Sequence, residues 1–492
     1  MPETSVAKPH PRRMLAAWYL RSLDRSFISV FMTFGLVLLF ALLLLRGGAD
    51  DVESNLRKTR ADVLALQPET VDDANNAMLD YQGANAAIVR FSGQWTDSPE
   101  YFASRSAEGY FAGQEVKTYL QQNAAAIQRL LQAADKPRCD WRLNYAAGYA
   151  MMLPHLSMLR SDARLLSVYA RECAHQRDHT EAAHAIAAMH AIARHAERDP
   201  LLICGLVSIA IDGIADQTIE SIVLWETPTS AADIESYRKS AGLYRKWHER
   251  ALRTLECEKR FALYTLDGMV NESQLNGSAS ATAALGVPYY VGGAIFWYGA
   301  DRRCCLKVMN DIIEETRAGK RTHDDTINAR IEANQTGPAI FTTLLLPSLG
   351  RSSDAFARNQ EQAIATDAAL AWLLFRAKYN REPKSLEELA PEFLAAVPHG
   401  VFHDLPLRVR TDTSGFREKP PPLKTGTAPL SAAPLLPGIV RIYTVGKNGQ
   451  DDQGLCANAG EELKPKPNAN SEIEEDDTGF RVPPFKEREA TR

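Results

Sequence analysis

Residues 27–45 read FISVFMTFGLVLLFALLLL, nineteen positions without a charged side chain or a proline. At about 1.5 Å of rise per residue they make a helix roughly 28 Å long, close to the ~30 Å hydrocarbon core of a bilayer. A helix in a soluble core rarely stays apolar on every face for five turns. The run therefore predicts a transmembrane helix, with Phe27, Phe31, Phe34, Leu38, Phe40 and Leu45 among its membrane residues. Lys8, Arg12, Arg13, Arg21 and Arg25 precede it, and RGGAD at 46–50 is a poor cleavage site. That pattern predicts an uncleaved signal anchor. A short basic tail stays in the cytoplasm while long domains translocate largely regardless of charge. The expected topology is a cytoplasmic tail over 1–26, one pass over 27–45, and the bulk of the chain on the periplasmic side of the inner membrane.

Working outward, the whole chain has 492 residues, 45% hydrophobic and 24% charged, enough for a sizeable core. A net charge of -5 argues against a general nucleic-acid binder, which needs a basic footprint. The seven cysteines form no CxxC pair, against a zinc ribbon or a thioredoxin-type site. Cys304 and Cys305 are adjacent and read as two separately buried thiols.

From 51 to about 350 the pattern is helix after helix. Leu156, Leu159, Ala163, Leu166, Ala170 and Cys173 recur three and four apart, with Arg160, Arg164 and Arg171 on the other face. Asp178 and Glu181 form a capping-box-like start for the next helix, carrying Ala182, Ile186, Met189 and Ala193 on one face. Asp199-Pro200 offers an N-cap and a first-turn proline for a third, over about 201–224. Short turns between them predict antiparallel hairpins of a bundle or solenoid. Residues 283–300, with Gly286, Pro288, Gly292, Gly293 and five aromatics, read as a buried irregular turn between helices, the alternative being a second membrane pass.

After about 360 the character changes. A helix bearing Ala368, Ala371, Trp372, Phe375 and Tyr379 runs into Asn380-Arg381-Glu382-Pro383, and Ser385 with Glu388 suggests a capping box. Residues 407–410 and 439–445 have strand composition, and the second leads into GKNGQDDQG at 446–454. The order LAWLLFRAKYNREPKSLEELAPEFL, then PLRVR, then VRIYTVGKNGQDDQG resembles the globular half of type II secretion major pseudopilins. A similar module follows a helical domain in families of bacterial single-pass envelope proteins. The resemblance covers 363–454 best. Arg381-Glu382 stands where a glycine-aromatic pair is expected, 411–437 inserts a proline-rich loop, and the pilin leader is not matched.

In those pseudopilins the corresponding loop binds calcium, which implies Asn448, Asp451, Asp452, Asp476 and Asp477 as candidate ligands here. Calcium takes six to eight oxygens in flexible geometry; the competing reading is a plain Asx-rich turn with solvated carboxylates. Beyond 459 the acidic, proline-containing composition predicts a disordered tail. Six of the eleven histidines fall between His155 and His195, but His175-x-x-x-His179 is interrupted by Asp178. They read as solvent-facing or helix-end residues. Zincin, nucleophile-elbow, P-loop and Rossmann patterns are absent from the sequence.

The expectation is a mainly α protein: an N-terminal transmembrane helix, a helical bundle or solenoid-like domain over 51–350, and a small α+β pilin-like module over 360–458. It is expected to act as a non-enzymatic, membrane-anchored scaffold for other envelope proteins, without a cofactor. The alternative is a secretion-system or pilus-assembly subunit with a calcium-binding head.

Overall fold

The computed structural model describes residues 52–90, 114–241, 246–275, 293–337, 339–412, 438–451 and 477–485. The expected anchor with Phe27, Phe31, Phe34, Leu38, Phe40 and Leu45, the candidate ligands Asp452 and Asp476, residues 283–292 and the tail from 459 to 476 lie outside these.

The described elements are helices α1 (52–64), α2 (Ala77–Ala87), α3 (Gln114–Gln122), α4 (Ala124–Asp135), α5 (Pro154–His175), α6 (His179–Ala196), α7 (Leu202–Trp225) and α8 (Ala231–Ser240). After them come α9 (Trp247–Leu275), α10 (Gly293–Arg317), α11 (Asp324–Asn334), α12 (Ile340–Leu345) and α13 (Ser348–Tyr379). Three strands follow: β1 (Arg408–Asp412), β2 (Ile439–Thr444) and β3 (Thr478–Val482). The protein is mainly helical with one small sheet near its C-terminus.

The α5–α6–α7 hairpins form as their sequence pattern predicts. Leu159, Ala163, Leu166, Ala170, Ala182, Ile186 and Met189 have no exposed surface. The Asp178 carboxylate accepts the Glu181 backbone N–H at 3.0 Å and starts α6. Local detail departs at four points. Asp199 is not the cap of α7, whose N-cap is Leu201; its buried carboxylate instead accepts the Tyr145 hydroxyl at 2.7 Å. Arg171 is not on a solvent face: it is 1% exposed and donates to Ser221 Oγ at 2.8 Å, so α5 buries a cation against α7. His155, His179, His190 and His195 are buried rather than solvent-facing, although His155, His179 and His195 do stand at helix ends. His179 meets Tyr237 and His195 meets Tyr81, each at 2.8 Å, hydroxyl partners that make burial tolerable. Residues 293–300 are the first two turns of α10, not irregular chain.

Among the described residues α7 alone is long and apolar enough to cross a membrane by length and composition. In this fold it is the central helix of the body, packed on α5, α6, α9, α13 and β3. Cys204, Ile211, Ala215 and Ile219 are fully buried along it.

Helix α13 joins the two parts of the chain. It packs on α7, α8 and α9 and also on β2 and β3. The sheet is antiparallel in the order β1-β2-β3, with Ile442 opposite Val409 and Phe480. All six residues of β2 are buried, as expected of a central strand. Asn380, in the left-handed conformation at φ 48°, ends α13. The Glu382 carboxylate then accepts Arg376 Nε at 2.7 Å and Trp372 Nε1 at 2.8 Å. Glu382 of the Arg381-Glu382 step thus forms a half-buried ion pair with Arg376 under the turn. Ser385 stands at the N-cap of the next turn, a 3-10 segment over Leu386–Leu389, but makes no side-chain cap hydrogen bond, and Glu388 accepts the Lys384 N–H at 2.7 Å.

Candidate functional site

Helix α7 carries Ser208, Asp212, Asp216 and Glu220, four apart. That spacing puts one polar residue per turn on a single stripe of an otherwise apolar helix. Each is 8% exposed or less, and each has a partner from another element.

The partners come from α6, α9, α13 and β3. Arg250 of α9 donates from Nε and Nη2 to the Glu197 carboxylate, the closest approach 2.8 Å. Its Nη2 also reaches Ser208 Oγ at 3.1 Å and lies 3.5 Å from Asp212 Oδ2. Arg250 Nη1 donates to Asn359 Oδ1, and the guanidinium stands 5.4 Å from the Phe356 ring centre. His190 Nδ1 sits 2.9 Å from Asp212 Oδ1. Thr366 Oγ1 is 3.5 Å from Asp216 Oδ1, and Glu220 accepts the backbone N–H and Nε of Arg481, both at 2.9 Å. A guanidinium suits this position because its planar fork satisfies several oxygens at once without being neutralised by burial.

Beside the stripe lies a cavity of about 440 Å³, within the size range of small-molecule sites. His190, Asp212, Asp216, Arg250 and Asn359 line it, with Arg194 and Lys239, both exposed, supplying further cationic side chains. Two features make it chemically capable. First, the Asp212 carboxylate accepts from His190 Nδ1–H, which holds the ring with its other nitrogen, Nε2, turned away from that pair. That Nε2 is buried and has no hydrogen-bond partner among the described residues. Second, burial pushes the Asp216 carboxyl up to about 7, the nearby Asp212 and Glu220 adding to it while His190 and Thr366 oppose it. A carboxyl poised near neutrality can give or take a proton at physiological pH.

Of the candidate calcium residues, Asn448, Asp451 and Asp477 lie among the described residues. Asp451 accepts Tyr443 OH at 3.0 Å and pairs with Arg408. The Asn448 side chain accepts the Gln450 N–H at 2.8 Å, an Asx turn, and Asp477 accepts the Gly446 N–H at 3.2 Å. Among the described residues no group of three or more His, Cys, Asp or Glu side chains is arranged to hold a metal. Cys304 and Cys305 are buried free thiols.

Sequence reasoning passed over the α7 stripe. Its signal was present, three carboxylates at fourfold spacing in an apolar window, a pattern that costs too much unless each is paired. Searches against protein-family models, curated proteins and solved structures return no match to this chain.

Proposed function

We propose that this protein is a membrane-anchored envelope protein, held by residues 27–45, whose helical body binds a small anionic solute in the His190 cavity. Its pilin-like C-terminal module then serves as a surface for other envelope proteins. The observation that carries solute binding is His190, which lines the cavity and whose buried Nε2 has no hydrogen-bond partner among the described residues. An unsatisfied buried polar atom costs about 1–3 kcal/mol, a cost expected where a ligand supplies the missing hydrogen bond. Arg194 and Lys239 favour an anionic group, while His190 and Asp216 favour a hydroxyl or amine on the same molecule. The uncharged run 27–45 supports the anchor, and the packing of α13 on both the helices and the sheet supports a rigid scaffold.

The test is thermal unfolding of the full chain in detergent with inorganic phosphate or citrate. A ligand at a hundredfold its Kd stabilises by about 2.7 kcal/mol. Stabilisation of the native protein that vanishes in His190→Gln supports the reading; equal stabilisation of both, or of neither, refutes it.

A second reading, a proton-transfer enzyme, is favoured by the near-neutral Asp216 carboxyl beside the Asp212–His190 pair. It requires that His190→Gln and Asp216→Asn each abolish a turnover measured on a panel of small anionic esters. Turnover that survives both substitutions refutes it.

A further inference from the structure

Of the four buried histidines, His179, His190 and His195 each bring Nδ1 within 2.9 Å of a hydroxyl or carboxylate oxygen. His155, in the first turn of α5 and 5% exposed, differs: its Nε2 is buried and has no hydrogen-bond partner among the described residues. Its ring instead lies on Trp141, with 4.5 Å between ring centres and 19° between planes. Trp141 stacks on Tyr81 as well, at 6.0 Å and 21°, and its Nε1 donates to the His195 carbonyl at 3.1 Å. The imidazole is thus held by a wall that is itself fixed. Packing alone would select phenylalanine here, since a benzene ring stacks on an indole without stranding a nitrogen.

His155 lines a cavity of about 400 Å³ between α2, α5 and the segment carrying Trp141, which shares no lining residue with the His190 cavity. The amides of Gln82 and Asn85 and the hydroxyls of Ser157 and Ser161 are on its wall, and Arg90, exposed, is its one cation. Burial pushes His155 down to about 4, so the ring is neutral at physiological pH. A neutral imidazole, an amide and a hydroxyl each offer both a donor and an acceptor. Trp141, Leu143 and Met158 give the same wall apolar surface. Asp162, one turn beyond Met158 on α5, is fully buried; burial pushes its carboxyl up to about 7 with the Asn85 amide opposing, so at neutral pH it carries only part of a negative charge.

Groups that both give and accept, set beside apolar surface, match a ligand with several hydroxyls on a carbon ring. A hydroxyl can meet His155 Nε2 whichever ring nitrogen carries the proton. An anion would find a single exposed guanidinium, and a wholly apolar ligand would leave His155, Gln82 and Asn85 without partners. We propose that the His155 cavity binds a neutral monosaccharide or cyclic polyol, one hydroxyl of which bonds His155 Nε2. This site is separate from the His190 cavity and does not depend on the membrane anchor.

The experiment is saturation-transfer difference NMR on the full chain in dodecylphosphocholine, a detergent without a sugar headgroup. The probes are D-glucose, D-galactose, N-acetyl-D-glucosamine and myo-inositol. The expected result is transfer to at least one of them, cut at least fivefold in His155→Phe, which keeps the ring stack and removes both nitrogens. The double variant Gln82→Ala/Ser157→Ala, at two exposed positions where folding is not at stake, should cut it at least threefold, and it decides alone if His155→Phe does not fold. Absence of transfer to every probe, or transfer that either folded variant leaves unchanged, overturns the proposal. Transfer that inorganic phosphate or citrate displaces assigns the binding to an anion site and also overturns it.

Discussion

Replacing Arg250 by methionine removes the cation that Glu197 and Asp212 share while keeping much of the side chain's volume. The structure sets the magnitude. The guanidinium is 7% exposed, it donates to Glu197 from two nitrogens, and both carboxylates are themselves 8% exposed or less at the side chain. Removing one member of such a buried pair costs about 3–5 kcal/mol, most of it the penalty of the remaining buried charge. If that is the origin, Arg250→Met/Glu197→Gln should recover a large part of the loss, with a coupling energy of about 1–3 kcal/mol. The assay is urea denaturation of native protein, both single variants and the double, followed by tryptophan fluorescence and far-ultraviolet circular dichroism. Three outcomes refute the reasoning: Arg250→Met within about 1 kcal/mol of native, a double variant with the two single losses simply added, or a double variant worse than their sum. The first would mean water reaches the site; the others would mean that Arg250 acts through Phe356 and Asn359 rather than through charge.

The same site gives a pH signature. A carboxyl raised from 3.8 to about 7 by burial holds its proton in the folded state where the unfolded chain has released it, so stability is full below pH 3.8 and falls as pH rises toward 7. Asp216→Asn should remove this slope and become more stable than native at pH 8, by up to about 4 kcal/mol at 1.36 kcal/mol per tenfold change in proton affinity. A stability difference between the two that does not change from pH 5 to 8 would show that Asp216 is not buried as a carboxyl. Glu382→Gln takes the counter-charge from Arg376, and should cost about 2 kcal/mol and shift the Trp372 emission, whose Nε1 shares that carboxylate. Calcium at millimolar concentration should leave the melting temperature of the full chain unchanged, because Asp451 is already engaged by Arg408 and Tyr443. A rise that Asp451→Ala abolishes would restore the calcium-binding head.

How much was legible depended on how local the determining physics was. Asp178, Glu181 and the apolar spacing of 156–173 act within a few residues, so the α5–α6 hairpin could be read directly. The β2 strand announced itself by its run of β-branched residues. Arg171 was misplaced because arginine on a helix face reads as solvent-exposed, and only the distant Ser221 hydroxyl shows that it is not. Asp199 looked like a cap because Asp-Pro usually is one; Tyr145, fifty-four positions earlier, claims it instead. The site was illegible for the same reason. His190, Asp212, Arg250 and Asn359 belong to four helices, and no spacing rule relates them.

Residues 27–45 and helix α7 are both apolar enough to span a bilayer, and the difference between them is chemical. Helix α7 passes the length and composition test yet carries Asp212, Asp216 and Glu220. Facing lipid, those carboxylates would have to be protonated or pulled to an interface, at about 2.5–3.5 kcal/mol for a central aspartate. In the body Glu220 meets Arg481, Asp212 meets His190 and Arg250, and Asp216 meets Thr366. The stripe is therefore what commits α7 to the protein interior: its partners exist only when α6, α9, α13 and β3 are assembled around it. Residues 27–45 have no such stripe, their only polar side chains being the hydroxyls of Ser29 and Thr33. Asp212 and Asp216, two of the three carboxylates that exclude α7 from the membrane, also line the cavity, so under the proposed function core assembly and solute recognition draw on shared side chains.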